Sequence, residues 1–251
     1  MAGYVRHSAR VLYPLWQHLE SAVAEGGHRW EAAFGAEPAS VFSALYDTPE
    51  ALAGFAEGMA SFGVLSAPHV IGAARSELAE AKTLVDLGGG TGYMAVEACR
   101  QHPGLCAVVF DLPGVCDLGA EKLGKSPDEA AARVSFEPGN FFEDELPRAD
   151  AYYLGRICHD WNDEDASRLL DRVFGALNDG GTVLLGEMLV DSDRSGPPEA
   201  LMQSLNMLVQ TEGRERTFAE FNALLQSSGF VDADARLTGL PLDAIWARKR
   251  Q

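Results

Sequence analysis

Residues 86–92 read Asp-Leu-Gly-Gly-Gly-Thr-Gly, and Asp111 follows nineteen positions after the last glycine. Glycine tolerates positive φ and carries no Cβ, so such a segment bends tightly and lets a ligand approach its backbone. An acid ending the next strand is placed to accept hydrogen bonds from a ribose diol. A second constellation spans 156–163, Arg-Ile-Cys-His-Asp-Trp-Asn-Asp. Its histidine, His159, has an ordinary pKa of about 6.5, which leaves it neutral and basic near pH 7 and able to draw a proton from a hydroxyl. Such an imidazole needs a partner on its other ring nitrogen, and Glu187, at the end of a later apolar run, can supply one.

Nucleotide cofactors of more than one kind use a glycine bend followed by an acid. The dinucleotide fingerprint G-x-G-x-x-G/A, begun at Gly88, meets Tyr93 at its last position and fails. No Gly-Lys-Ser/Thr follows, which excludes a Walker loop. The alternating glycines instead correspond to the loop that holds the methionine part of S-adenosylmethionine (SAM).

The elements that must position these residues are legible as a change of rhythm near residue 81. Residues 1–80 read as a helical, alanine-rich segment. Leu12, Leu15, Trp16, Leu19 and Val23 recur at helical spacing before Gly26-Gly27. A short helix is predicted over 40–45, and Thr48-Pro49 forms an N-cap and N1 pair opening a helix toward Phe62. From 81 to 251 apolar runs alternate with helical patterns. Strands are predicted over 83–87, 106–111, 134–137, 151–154 and 182–187, and helices over 93–100, 115–123, 164–177 and 199–209. Alternation of this kind indicates a Rossmann-like α/β fold with a mostly parallel seven-stranded sheet. Two consecutive strand-like runs at the end, VDADARLTG and LPLDAIWARKR, predict an antiparallel last strand.

Composition bounds the function. The 251 residues carry 20 basic and 37 acidic side chains, a net charge of −17. With no basic run to meet a phosphate backbone or an anionic lipid surface, neither nucleic acid nor membrane is an expected partner. No apolar stretch approaches the roughly 20 residues that span a bilayer, and the start lacks a signal peptide's apolar region, so a cytoplasmic location is expected. Cys99, Cys106, Cys116 and Cys158 form no CxxC pair and read as buried, reduced thiols. The acids and amide at 162–165 read as capping of the next helix rather than as metal ligands.

The cluster RICHDWND, with PGNFFEDELPRAD upstream and LNMLVQTEGRERT downstream, resembles the acetylserotonin O-methyltransferase branch of the plant-type small-molecule O-methyltransferases, including the acetylserotonin O-methyltransferase-like proteins. The likeness runs from about Leu12 to Lys249. It implies a SAM-dependent, metal-independent methyl transfer to the hydroxyl of a small aromatic substrate similar to N-acetylserotonin. His159 would then be the general base, with Glu187 and Glu215 as its flanking carboxylates. Gly88 and Gly90 would line the methionine end of the cofactor and Asp111 its ribose. Gly139, Asn140 and Phe141 would flank the adenine, and Arg156 and Tyr46 would be further cofactor contacts. The family's usual Asp at the adenine loop is replaced by Asn140, whose amide differs in charge and donor pattern. Asp160, Asn206 and Gln210 would touch the substrate, although internal hydrogen bonding is the other reading of Gln203, Asn206 and Gln210. Met202 and Met207 read as core or as adaptable pocket walls. The remaining histidines, His7 among them, read as surface or packing residues. Family members carry a longer N-terminal winged-helix dimerisation region, so a homodimer is implied in weakened form. The competing reading is a catalytically impaired protein that binds SAM or a protein partner.

Overall fold

The computed structural model describes residues 2–35, 42, 45, 46 and 48–250. A helical run opens the chain: α1 (Ala2–His7) continues through a π-helical stretch, Ser8–Leu12, into α2 (Tyr13–Trp16), then α3 (Leu19–Glu25) and α4 (Trp30–Phe34). Gly26, at φ 78°, ends α3 where the sequence placed the stop. The helix expected over 40–45 lies outside the described residues for the most part.

Thr48 caps the next helix as read, its hydroxyl accepting from Ala51 N at 3.1 Å with Pro49 behind it. This helix, α5 (Pro49–Ala73), runs well past the predicted end at Phe62 and through Pro68. Ala67, Val70 and Ile71 explain the extension, because all three are buried in the same core as Phe62. Tertiary burial outweighs the local cost of a helical proline.

The alternating pattern builds one seven-stranded sheet. It comprises β1 (Thr83–Leu87), β2 (Cys106–Asp111), β3 (Val134–Pro138), β4 (Ala149–Gly155), β5 (Leu177–Glu187), β8 (Val231–Arg236) and β9 (Asp243–Arg248). The order is β3-β2-β1-β4-β5-β9-β8, all parallel up to β5, with β9 antiparallel to both neighbours. The short strands β6 (Leu189–Val190) and β7 (Arg216–Thr217) form a separate parallel bridge. The helices α6 (Tyr93–Gln101), α7 (Pro113–Leu123), α8 (Asp163–Ala176) and α9 (Pro198–Gln210) match the expected positions. A further helix, α10 (Phe218–Ser227), was not anticipated, although its capping box of Thr217 and Glu220 stood in the sequence.

The inner strands of the sheet are buried on both faces, as their apolar runs require, whereas the edge strands β3 and β8 are partly exposed. Leu84, Tyr153, Leu184 and Trp246 face α5 and α6 on one side. Val85, Tyr152, Val183 and Ile245 face α8 and α10 on the other. A smaller cluster, Leu15, Ala22, Trp30, Leu45 and Val209, joins the N-terminal helices to α9. All four cysteines are free, but Cys106 is exposed rather than buried, because it is the first residue of β2 and stands at its solvent end. Among the described residues, no helix is long and apolar enough to cross a membrane.

Candidate active site

One cavity opens at the carboxyl ends of β1, β2 and β4, where ligands of open α/β sheets bind. Its floor is the glycine bend between β1 and α6. Gly88 and Gly90 take φ of 66° and 58°, the left-handed region that glycine reaches without strain. A Cβ on Gly88 would lie 2.5 Å from Ile157 Cδ1, so the bend and the His159 loop approach backbone to side chain. A Cβ on Gly90 would meet no protein atom within 4 Å and would project into open space. Gly90 N donates to Asp111 Oδ2 at 2.9 Å, and Leu112 N donates to Oδ1 at 2.7 Å. Burial pushes the Asp111 carboxyl up to about 6. Below the bend, Asp86 Oδ2 accepts from Ala95 N at 3.2 Å, and burial raises its carboxyl to about 7.

His159 sits in a 3-10 turn, Cys158–Asp160, directly after β4. Its Nδ1 lies 2.6 Å from Glu215 Oε1, and Asp160 Oδ1 lies 3.6 Å from its Nε2. Glu187 holds the turn rather than the ring. Its Oε1 accepts from Ile157 N at 3.2 Å and Cys158 N at 2.9 Å, while Oε2 stays 3.8 Å from His159 Nδ1. Sequence reasoning made Glu187 the first choice as ring partner; the geometry gives that contact to Glu215. Burial lowers the imidazole below its ordinary range, opposed by the negative charges of Asp160 and Glu187. Burial also pushes both the Glu187 and the Glu215 carboxyls well above the ordinary carboxylate range.

Two further residues brace this turn and were not singled out from sequence. Arg216 is fully buried, donating from Nη1 to Cys158 O at 2.7 Å, from Nη2 to Trp161 O at 2.8 Å, and to Asp163 Oδ1. Adjacent residues of one segment thus serve the same loop, Glu215 through the ring and Arg216 through the backbone. Gly213 passes so near that a Cβ there would stand 1.9 Å from His159 O. The GRERT segment, which begins at that glycine, was the signal that could have revealed both.

Arg156 enters the cavity from a backbone at φ 57°, unusual for a side chain of its size. Its guanidinium carbon lies 4.0 Å from the Phe62 ring centroid, and its buried Nε and Nη1 have no acceptor among the described residues. Tyr46, Asp160, Asn206 and Gln210 also line the cavity. Burial, with the charges of Asp111 and Asp160, raises the Tyr46 hydroxyl far above its ordinary value, so it stays protonated. Asn206 is already engaged, accepting from Trp16 Nε1 at 2.5 Å and donating to Gln203 Oε1 at 3.0 Å. His7 lies in the cavity wall too, and burial together with Arg156 pushes it down to about 4, so it is neutral. The wall includes Met207, whereas Met202 is half exposed and serves neither core nor pocket.

Gly139, Asn140 and Phe141 are not part of the cavity lining. Gly139 N donates to Asp111 O at 2.9 Å, and a Cβ there would strike the Phe110 ring. The Asn140 amide oxygen accepts from Phe142 N at 3.0 Å, a local turn that an Asp would make equally well. Phe141 packs edge-on to Phe142 and Trp161, near Gly88. Asn162 caps α8, accepting from Asp165 N at 2.9 Å, as the sequence suggested.

The observations favour a nucleoside cofactor with a charged amino-acid end. Open space over Gly90, the Asp111 carboxylate beside it and two orphaned guanidinium donors on Arg156 match the parts of such a molecule. Comparison with known proteins agrees. Residues 16–231 match the O-methyltransferase domain family. Acetylserotonin O-methyltransferase of Bos taurus is 43% identical over 243 residues, covering 97% of this chain and 69% of that protein. The Homo sapiens enzyme is 37% identical, covering 98% and 70%. A crystal structure of human N-acetylserotonin methyltransferase in complex with SAM superposes with a TM-score of 0.93 over 99% of this chain and 70% of that one. By sequence and by fold, this chain belongs to the O-methyltransferase domain family.

Proposed function

We propose that this protein is an O-methyltransferase that uses SAM to methylate the hydroxyl of a small aromatic acceptor, similar to N-acetylserotonin. The observation that carries the reading is the buried His159–Glu215 contact of 2.6 Å opening onto the same cavity as the Gly88–Gly90 bend. When bound, the cofactor would supply an electrophilic methyl group on a sulfonium, passed in line to the acceptor oxygen with the thioether of S-adenosylhomocysteine as the leaving group. The chain's own residues do the rest. Asp111 accepts from the ribose, Gly88 and Gly90 admit the methionine part against bare backbone, and Arg156 binds its carboxylate with the donors that lack a protein partner.

His159 Nε2 takes the hydroxyl proton as the new bond forms. Its Nδ1–H donates to Glu215, which fixes the tautomer and stabilises the imidazolium. Asp160, Asn206 and Gln210 orient the acceptor, with Met207 as a wall, and Tyr46 is a further cofactor contact. Orientation contributes several kcal/mol by holding oxygen and methyl carbon in line. No metal takes part in this scheme, and EDTA is expected to leave turnover unchanged. The human relative's similarity in fold and its complex with SAM support the cofactor assignment.

The test is transfer of labelled methyl from SAM to hydroxyindoles and phenols, with isothermal titration of SAM alongside. His159→Ala is expected to bind SAM normally while turnover falls by about 10²–10⁴-fold. SAM binding without transfer to any such hydroxyl would favour a non-catalytic binding protein, and full turnover in His159→Ala would remove the assigned base.

A further inference from the structure

Glu187 and Glu215 each commit one oxygen and leave the other without a partner. Glu187 Oε1 receives two backbone N–H groups and Glu215 Oε1 receives the His159 ring, whereas both Oε2 atoms are buried and unpaired among the described residues. Both carboxyls are essentially inaccessible, at 0% and 4% exposure. They flank the same ring nitrogen, at 3.8 and 2.6 Å.

The charges around them do not balance two anions. From the β4 loop come Arg156, Asp160 and the Cys158 thiol, from β4 itself the Tyr153 hydroxyl, and from β7 Arg216. Arg216 is taken by Asp163 and two carbonyls, and Arg156 faces Asp160 as well as the cavity. What remains is a pair of buried carboxyls against a single neutral imidazole. Two like charges so close and so dry do not both ionise at neutral pH.

We infer that Glu187 is a neutral carboxylic acid in the resting protein, with its proton on Oε2, and that Glu215 alone is the anion opposing His159. The two carboxylates are therefore not equivalent. Glu215 is the electrostatic partner of the base; Glu187 is a positioning residue whose carbonyl oxygen ties down the backbone of Ile157 and Cys158. A single negative charge awaits the imidazolium, so proton uptake by His159 leaves the site balanced. This deepens the proposed base mechanism and rests on it for its catalytic consequence, while the proton itself is a property of the folded chain.

An amide reproduces a neutral acid, offering one acceptor oxygen and one donor. Infrared spectroscopy of protein carrying carboxyl-labelled ¹³C-glutamate separates Glu bands from those of the buried Asp86 and Asp111. At neutral pH an isotope-shifted acid C=O band is expected in the wild type and is expected to vanish in Glu187→Gln. Turnover of Glu187→Gln is expected to exceed that of Glu187→Ala by about tenfold or more, and Glu215→Gln is expected to lose about a hundredfold or more relative to wild type. Absence of a Glu acid band from the wild type overturns the inference even if a variant fails to fold. A band that survives Glu187→Gln, or a Glu187→Gln turnover as low as that of Glu187→Ala, overturns it too. Because the band needs no substrate, a wrong acceptor would silence the assay and leave the infrared result intact.

Discussion

Trp16 and Asn206 are joined across 190 residues of chain by a hydrogen bond of 2.5 Å from the indole Nε1 to the amide oxygen. The bond ties the N-terminal helical run to α9, and its acceptor is a residue of the cavity wall. Since Asn206 also donates to Gln203, the amide is held in one orientation by partners on two elements.

Loss of that tether has a specific signature. Trp16→Phe leaves Asn206 free to turn and is expected to raise KM for the hydroxyl acceptor by about tenfold, the worth of one hydrogen bond of about 1 kcal/mol with some lost orientation. Affinity for SAM is expected to stay the same, because Trp16 lies away from the glycine bend. Paired steady-state kinetics and SAM titration check both halves.

The glycine bend separates strain from obstruction. Gly90→Ala introduces a Cβ at φ 58° and projects it into the cleft, whereas Gly27→Ala introduces one at φ 77° with nothing near it. Each is expected to cost about 1–2 kcal/mol of stability through the left-handed backbone alone. Only Gly90→Ala is expected to weaken SAM binding, by about tenfold or more, equivalent to about 1.4 kcal/mol. Thermal melts and calorimetric titration of the two variants distinguish these terms.

Arg216 holds the His159 turn and is not part of the cavity lining. In Arg216→Met the carbonyls of Cys158 and Trp161 lose their donor, at about 1–3 kcal/mol for each buried group. The turn then relaxes under His159, and turnover is expected to fall by about ten- to a hundredfold with little change in SAM affinity, as small misplacements of a base cost rate rather than binding. Partial recovery in Arg216→Lys, which restores a cation but not the fork, would confirm that the backbone contacts matter. Denaturant unfolding and single-turnover rates provide the readouts.

The pH dependence follows from burial of the imidazole. Desolvation moves His159 below its ordinary value, so the neutral base persists to lower pH than a free histidine would. The acid limb of kcat/KM is therefore expected below pH 6.5, activity falling as pH drops through the folded-state pKa. In Glu215→Gln the imidazolium loses its opposing charge, and that limb is expected to move to still lower pH as the maximal rate falls. A bell shifted upward from pH 6.5 would contradict the assignment of His159 as the base.

The sheet and its binding edge were legible because local patterns there agree with the global fold. Continuous apolar runs such as Ala107–Phe110 and Val183–Leu185 suit a strand buried on both faces, and the glycines at 88, 89, 90 and 92 suit a tight bend. The family motif placed His159, Asp111 and Arg156 in one cavity, and that depended on no contact between distant segments. Long-range packing decided what local pattern could not. α5 continues through Pro68 because Val70 and Ile71 find a core on the sheet, which periodicity alone does not announce. The division of labour between Glu187 and Glu215 depends on which carboxyl reaches the ring, and β6–β7 pairing brings residue 215 to it. His7 enters the wall of the cavity only because α1 crosses α5 where Gly3 and Gly58 leave room. Residue type and spacing determined which side chains this chain offers at its binding edge; the distances between side chains far apart in sequence, set by packing, decided which of them meet.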